Sequence, residues 1–243
     1  MRNLERYQAE YAALGFEAHM VRYRRRQVLQ CLAEFPHESI LEVGCGMDSL
    51  VQYVDDWRRF TIVEPGDRFA ERARSIKAAR PFSVLELTIE AAATGLRGER
   101  FDFVVLSSLI HEVIDAGALL SAVHSLCDSN TVVHVNVPNA RSLHNRLALR
   151  MGLIPDLFTR SPTANRMQRT STFDLATLAA LARATGFSVL SSGSYFLKPF
   201  TNGQLQQMLD ARIIDEAVLD GLFSVNDEFD GLGAEIFVNL RRT

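Results

Sequence analysis

The feature that most constrains the fold is a regular alternation of short apolar runs with segments of helical periodicity. The apolar runs before the middle of the chain are Ser39–Val43, Phe60–Glu64, Phe82–Glu86, Phe101–Leu106 and Thr131–Val137. Between two of them, Asp67–Ala79 has the pattern of a helix. Such alternation is typical of βαβ units, in which helices cover both faces of a parallel sheet. The sequence therefore predicts a doubly wound α/β fold.

The chain changes character after the fifth predicted strand. Pro138–Thr170 carries several prolines among arginines and polar residues, and it is too long for a plain connector. Within a compact domain, such a segment is usually a lid or a substrate-binding insertion, or it is disordered. Regular structure is predicted to resume with helix Phe173–Thr185, which Ser171 and Asp174 open as a variant capping box and Gly186 ends. Strand Phe187–Ser192, a mostly helical stretch at Gln204–Leu222 and a final strand at 233–240 follow.

The segment before the first strand has apolar residues at helical spacing. Two helices broken near Gly15 fit the pattern of Asn3–Phe35. Core packing is the simplest role for Tyr7, Tyr11 and His19, although a helix folded over the end of a sheet also closes ligand sites. We therefore expect one domain over 1–243. Its parts are an N-terminal helical lid (1–35), a donor-binding core (36–137), an acceptor-side insertion (138–170) and a C-terminal completion of the sheet (171–243).

Composition excludes several functional classes. The chain has 243 residues, 47% of them hydrophobic, which suffices for one large core, and a net charge of −3. That charge gives no overall attraction to nucleic acid or anionic lipid, so neither is an expected partner. No stretch has the ~18 uninterrupted apolar residues of a membrane span, which predicts a cytoplasmic protein.

The cysteines, Cys31, Cys45 and Cys127, lack metal-ligand spacing, so neither a disulfide framework nor a metal site is expected. The arginine run at 22–26 is interpreted as a solvated helix face rather than an anion site.

A glycine-containing turn and a following acid predict the ligand. Gly44 and Gly46 end the first strand, where residues without a Cβ let the backbone approach a ligand closely. Glu64 ends the next strand, at the position from which a carboxylate accepts hydrogen bonds from ribose hydroxyls. Together they indicate a ligand that contains adenosine.

Charge separates the two commonest ligands of this kind. A dinucleotide would bring its pyrophosphate close to Glu42, which repels it. S-adenosylmethionine instead carries a sulfonium and an α-ammonium, which a carboxylate attracts. Ser49 also stands where a dinucleotide site has its third glycine. The pattern favours the methyl donor, and an NAD-dependent oxidoreductase is the alternative.

At this point a family resemblance can be named. Ile40–Gly46, Ile62–Pro65 and Phe101–Leu106 resemble the corresponding motifs of the class I S-adenosylmethionine-dependent methyltransferases, over roughly Ser39–Val137. The pattern of Ser171–Val189 is similar to the helix and strand that follow the core in the small-molecule branch of that family. The resemblance implies a Rossmann-like, mostly parallel sheet of seven strands whose last strand is antiparallel.

The resemblance also implies donor-binding residues. Glu42, Gly44 and Gly46 would lie along the methionine part, Glu64 at the ribose and Glu90 at the adenine. The full predicted set is Glu42, Gly44, Cys45, Gly46, Glu64, Pro65, Ile89, Glu90 and Ser107. One departure is Asp48, where many members of the family have glycine. Aspartate tolerates left-handed backbone and could bind the α-ammonium, but it also crowds the donor's carboxylate.

Acceptor chemistry is expected on the loops after the fourth and fifth strands. If the acceptor is a hydroxyl, its proton must leave, and His111 is the candidate base. Many relatives have the order Glu-His where this chain has His111-Glu112, so a supporting role is the other interpretation. Polar side chains after the fifth strand suit a polar or anionic acceptor, although the arginines there could simply be solvated. The predicted acceptor-binding residues are Asn136, Asn139, His144 and Arg146.

These observations predict a methyltransferase that converts S-adenosylmethionine to S-adenosylhomocysteine. The expected partner is a small or medium-sized polar acceptor, with methylation on oxygen favoured over nitrogen or carbon, and the chain is expected to be a monomer or a homodimer. A donor-binding module without transfer activity is an alternative, since Asp48 and His111-Glu112 depart from the family pattern.

Overall fold

The computed structural model describes residues 15–160, 164–165 and 169–243, and a mixed sheet is the centre of the described chain. Its strands in chain order are β1 (Ser39–Val43), β2 (Arg59–Val63), β3 (Ser83–Leu85), β4 (Phe103–Ser107), β5 (Val132–Pro138), β6 (Phe187–Tyr195) and β7 (Glu235–Arg242). The strands form one seven-stranded sheet in the order β3-β2-β1-β4-β5-β7-β6.

Helices connect these strands. They are α1 (Glu17–Leu32), α2 (Asp67–Arg74), α3 (Ile89–Gly95), α4 (Ala116–His124), α5 (Leu143–Arg150), α6 (Leu175–Ala184), α7 (Asn202–Asp210) and α8 (Glu216–Ser224). Short 3₁₀ turns lie at Leu50–Gln52 and Val225–Glu228. Helix α1 confirms a helix before the first strand, whereas the helix predicted before Gly15 lies outside the described residues.

The direction of the strands confirms the predicted doubly wound sheet. Strands β1 to β5 are parallel, and β7 runs antiparallel to both β5 and β6. The strand order reverses between β1 and β4, because β2 and β3 lie on one side of β1 and β5 lies beyond β4. Ligands of open α/β sheets bind in the crevice at such a reversal, outside the carboxyl ends of the strands.

Burial on both faces explains why the strands are continuous apolar runs. In β1, Ile40 belongs to the apolar cluster on one face and Leu41 to the cluster on the other. Strand β4 repeats the pattern, with Phe103 on the first face and Val104 on the second. Because helices cover both faces, successive residues are all apolar instead of alternating with polar ones.

Most predicted elements after β1 shift by one or two residues, and three differ by more than that. Helix α2 ends at Arg74. The Ser75 hydroxyl donates to the Arg72 carbonyl at 2.6 Å, and this side-chain bond competes with the backbone hydrogen bond that would continue the helix. The stretch predicted as mostly helical after residue 204 forms two helices, since Arg212 has a left-handed φ of 55° and Asp215 begins α8. Strand β6 continues to Tyr195, because it pairs with β7 along its whole length.

Helix α1 packs on the C-terminal part of the chain. The Tyr23 ring lies 4.5 Å from the ring of Phe196 and 5.3 Å from that of Phe223, in stacked geometry. Core packing of this apolar face is therefore confirmed for the described residues. The solvated-face interpretation of the arginine run is wrong for Arg24, which is buried and contacts Glu235 of β7 at 3.2 Å.

The N-terminus of α6 is fixed by Asp174 rather than by Ser171. The Asp174 carboxylate accepts hydrogen bonds from the backbone N–H of Thr177 at 2.9 Å, from its hydroxyl at 2.8 Å and from Arg141 Nε at 2.7 Å. Asp215 caps α8 with one bond, from Val218 N at 3.1 Å. Asp174 therefore holds the segment after β5 as well as its own helix.

We expect Asp174→Ala to lower the free energy of unfolding by about 1–2 kcal/mol, measured by urea denaturation. Asp215→Ala is the matched control and should cost about 0.5–1 kcal/mol, because its carboxylate is exposed and caps only α8. Equal losses would contradict the contribution of Arg141.

Candidate functional site

A cavity of about 520 Å³ lies where the strand order reverses. Its floor comes from the turns that follow β1, β2 and β4, and α1 forms one wall. The cavity is lined by all of the predicted donor-binding residues: Glu42, Gly44, Cys45, Gly46, Glu64, Pro65, Ile89, Glu90 and Ser107. Their roles toward a donor stay predictions, but the fold brings them into one site.

The turn after β1 is open to the cavity because its glycines adopt left-handed backbone. Gly44 has a φ of 74° and Gly46 a φ of 55°. A Cβ on Gly44 would approach the Leu109 side chain to 3.1 Å, whereas a Cβ on Gly46 would have no heavy atom within 4 Å. The space beside Gly46 can therefore be filled by a ligand that contacts backbone directly.

Glu42 is a buried carboxylate at the edge of this turn. It accepts hydrogen bonds from the Ser49 hydroxyl and, at 3.0 Å, from the backbone N–H of Leu50. Burial raises the pKa of the Glu42 carboxyl to about 7, although these hydrogen bonds lower it. The negative charges of Asp48 and Glu64 add to the increase. A bound cation would stabilise the ionised form, so the site fits a positively charged ligand.

Glu64 lies across the turn from Glu42. One carboxylate oxygen accepts from Gly46 N at 3.1 Å, and the other accepts from Gly66 N at 2.8 Å. A carboxylate has about four lone-pair positions, so both oxygens can accept further hydrogen bonds from a diol. The chemistry of these two acids and of the open turn fits S-adenosylmethionine.

His111 does not line the cavity, although its neighbour Glu112 does. The His111 side chain is buried, and its Nε2 lies 3.5 Å from Glu112 Oε1. The His111 carbonyl accepts hydrogen bonds from the backbone N–H groups of Thr170 and Ser171, at 2.9 and 3.3 Å. Of the two roles predicted for His111, this geometry favours the supporting one.

The four residues predicted to bind the acceptor lie outside the cavity lining: Asn136, Asn139, His144 and Arg146. Asn136 is buried in β5, where its amide is within hydrogen-bond distance of Ser107 and His134. Asn139 donates to the carbonyls of Gly231 and Gly233. These two amides fix the sheet and the loop before β7, and their predicted role toward an acceptor stays a prediction.

The other two residues are also accounted for by the fold. Burial lowers the pKa of His144 to about 3, so its imidazole is neutral at physiological pH. Arg146 is exposed, and its Nε donates to the Arg141 carbonyl at 2.9 Å. His134 is buried within β5, with Nδ1 at 2.8 Å from Asn239 Oδ1.

Sequence reasoning missed the charged side chains that α1, Glu112 and Arg169 contribute to the cavity. Glu17, Arg24 and Arg25 of α1 line the cavity together with Glu112 and Arg169. Arg24 lies 3.2 Å from Glu17, and Arg169 Nε lies 3.7 Å from Glu112 Oε1. The arginine run was a usable signal, but its partners are distant in the sequence, and only the folded chain identifies which arginines face inward.

Within the described ranges, no group of three or more histidine, cysteine or acidic side chains is arranged to hold a metal ion. No helix in that part of the chain is both long and apolar enough to cross a membrane.

Comparison with known families gives one match over most of the chain. The methyltransferase domain family matches residues 16–192. No curated protein matches the sequence significantly.

Solved structures share the fold at low sequence identity. A methyltransferase from Thermotoga maritima, described as a possible histamine N-methyltransferase, is 19% identical with a TM-score of 0.59, over 94% of this chain and 92% of its own. A Mesorhizobium loti S-adenosylmethionine-dependent methyltransferase is 14% identical with a TM-score of 0.58, over 86% and 94%. The plantazolicin methyltransferase BamL, in complex with a triazolic desmethylPZN analog and S-adenosylhomocysteine, is 13% identical with a TM-score of 0.55, over 99% of this chain and 85% of its own.

We expect Glu42 to make the preference for the cationic donor depend on pH. S-adenosylmethionine and S-adenosylhomocysteine share an α-amino group, so the ratio of their dissociation constants isolates the effect of the sulfonium. Because the Glu42 pKa is near 7, the carboxylate ionises as pH rises from 6 to 8, and preference for the sulfonium should rise with it. Calorimetric titrations at several pH values measure this ratio.

The variant Glu42→Gln should remove that rise, because an amide stays neutral while it can still accept from Leu50 N. Glu86→Gln is the control, since Glu86 is exposed and pairs with Arg74 outside the cavity. A pH-dependent ratio that persists in Glu42→Gln would rule out Glu42 as its source.

Proposed function

Since the chain belongs to the methyltransferase domain family and is an S-adenosylmethionine-dependent methyltransferase, we propose that its acceptor is a small or medium-sized polar molecule methylated on oxygen. The observation that carries this proposal is a set of lining residues outside the predicted donor-binding set, here called the second half of the cavity. These residues are Glu17, Val21, Arg24, Leu109, Glu112, Val113 and Arg169. Family membership removes the support for an NAD-dependent oxidoreductase.

The size of the cavity supports a small acceptor. The whole cavity has a volume of about 520 Å³, within the range of about 300–1,000 Å³ typical of small-molecule sites, and it has to hold the donor as well as the acceptor. A net charge of −3 gives no attraction to a nucleic acid that would have to reach the same site.

The lining of the second half supports an acceptor with both apolar and polar parts. Apolar side chains include Val21, Leu109 and Val113, and they favour a hydrocarbon or aromatic body. Glu112 and Arg169 add charged groups that can orient a polar substituent.

We assign the acceptance of the acceptor's proton to Glu112, with His111 as its positioning residue. Glu112 is buried, lines the cavity and has Arg169 and His111 within 4 Å of one oxygen. Arg169 Nε lies 3.7 Å from the Glu112 oxygen that also has His111 near it, so both neighbours can hold this carboxylate in place. When bound, the donor supplies an electrophilic methyl group on sulfur. Glu112 would accept the proton that the acceptor hydroxyl loses on methylation, and His111 would hold the carboxylate in position.

Alignment of the reactants is the main contribution of the fold. Proximity and orientation alone can supply up to ~7–11 kcal/mol of acceleration in favourable cases. Helix α1 and the loop after β4 both line the cavity, so their side chains can orient the reactants there.

An acceptor screen tests this function. The purified protein is incubated with S-adenosylmethionine and a panel of small hydroxyl, amine and carbon acceptors, and release of S-adenosylhomocysteine is measured. We expect turnover with a hydroxyl compound. Turnover only with amines or carbon acceptors would contradict oxygen methylation, and donor binding without any turnover would support a binding module.

With an active acceptor, Glu112→Gln should lower kcat by ~10²-fold or more while the dissociation constant for the donor stays unchanged. His111→Ala should cost less, because its backbone carbonyl still holds residues 170 and 171. A larger loss of kcat in His111→Ala, with donor binding intact, would assign the base to His111 instead.

A further inference from the structure

Helix α1 delivers a charged side chain to the donor half of the cavity. Arg25 forms an ion pair with Asp48, 23 residues further along the chain, and both side chains line the cavity. Asp48 directly follows the glycine turn, at the position where the family resemblance leads one to expect glycine. The departure from the pattern therefore has a specific partner in this chain.

Tyr53 fixes the geometry of this pair. Its hydroxyl donates to Asp48 Oδ1 at 2.7 Å, and its ring lies under the Arg25 guanidinium, 4.0 Å from the ring centroid. Stacking and hydrogen bonding by Tyr53, which is not a cavity-lining residue, thus hold both charged groups in place. A guanidinium has five N–H donors, so one contact with Asp48 leaves others that can face a ligand.

Backbone conformation gives no reason for an aspartate at this position. Asp48 is absent from the residues with positive φ, which among non-glycine residues of the described chain are Ser108, Phe196 and Arg212. The tolerance of aspartate for left-handed backbone is therefore not used. Its carboxylate instead lies close enough to Glu42 to raise the pKa of that group. Arg25 supplies the positive charge that offsets this concentration of acids.

The methionine end of the donor is itself a zwitterion, with an α-ammonium and an α-carboxylate on one carbon. A fixed pair of opposite charges is complementary to such a group, whereas a lone acid would repel its carboxylate and a lone base its ammonium. We propose that Arg25 and Asp48 bind this end together, with Arg25 donating to the α-carboxylate and Asp48 accepting from the α-ammonium.

This assignment concerns the donor, so it does not depend on the identity of the acceptor. It resolves the conflict noted from the sequence, in which Asp48 crowds the donor's carboxylate. The rival interpretation is that the pair only attaches α1 to the turn, without contact with the donor. The two differ in what happens when the donor loses one of its charged groups.

Calorimetry with three probes separates them: S-adenosylhomocysteine, its decarboxylated analogue and its deaminated analogue. In the unmodified protein, we expect each analogue to bind ~10- to 100-fold more weakly than S-adenosylhomocysteine, because each loses charge-assisted hydrogen bonds. Equal affinity for all three probes would overturn the proposal without any variant.

The variants then assign each charge. Arg25→Met should weaken S-adenosylhomocysteine by ~10- to 100-fold and leave the decarboxylated analogue unchanged. Asp48→Asn should weaken S-adenosylhomocysteine but leave the deaminated analogue unchanged. Arg26→Met is the matched control, because Arg26 lies on the same helix but faces Asp220 and the Phe223 ring outside the cavity. Its affinities should equal those of the unmodified protein.

Equal weakening of all probes by Arg25→Met would show that the pair only attaches α1, and would overturn the proposal. Arg25→Lys keeps the charge but loses the planar fork, so an intermediate loss, confined to probes that keep the carboxylate, is expected. These titrations measure donor binding and not acceptor turnover. Their outcome can therefore be distinguished from the outcome of the acceptor screen.

Discussion

The anchoring of Glu42 at the carboxyl end of β1 is the interaction on which the rest of the site depends. Its buried carboxylate binds the Ser49 hydroxyl and the Leu50 amide, and so fixes where the chain goes after the glycine turn. That path sets the position of Asp48, and through Asp48 it sets the contact with α1. One buried acid thus organises the floor of the cavity and one of its walls. The same burial raises the pKa of its carboxyl group.

The sheet and the donor half could be predicted from sequence because their signals are local. Strand β1 coincides with its predicted bounds, since a run of apolar residues ended by glycines has few alternatives. Glu64 and Gly46 are far apart in the chain, but parallel strands bring their ends to the same edge of the sheet, so their proximity follows from the fold class alone. The predicted donor residues were therefore found in one cavity.

The acceptor half could not be predicted in the same way, because it depends on which way individual side chains face. His111 and Glu112 are neighbours, and a turn of the loop directs only Glu112 to the cavity. Asn136 is buried within β5, and its amide donates to the Ser107 hydroxyl inside the sheet. Likewise, no pattern in the arginine run tells Arg24 and Arg25 from Arg22 and Arg26, since only the packing of Tyr23 fixes the rotation of α1.

The attachment of α1 to the C-terminal strands has a consequence for how such an enzyme can change its specificity. The proposed acceptor wall combines residues of α1 with Arg169, and Arg24 forms an ion pair with Glu235 at the start of β7. A graft of the segment after β5 from a relative would therefore leave half of the wall unchanged and would break contacts with the other half. We therefore expect acceptor specificity to change more readily through paired substitutions on α1 and the loop after β4 than through exchange of the segment after β5 alone.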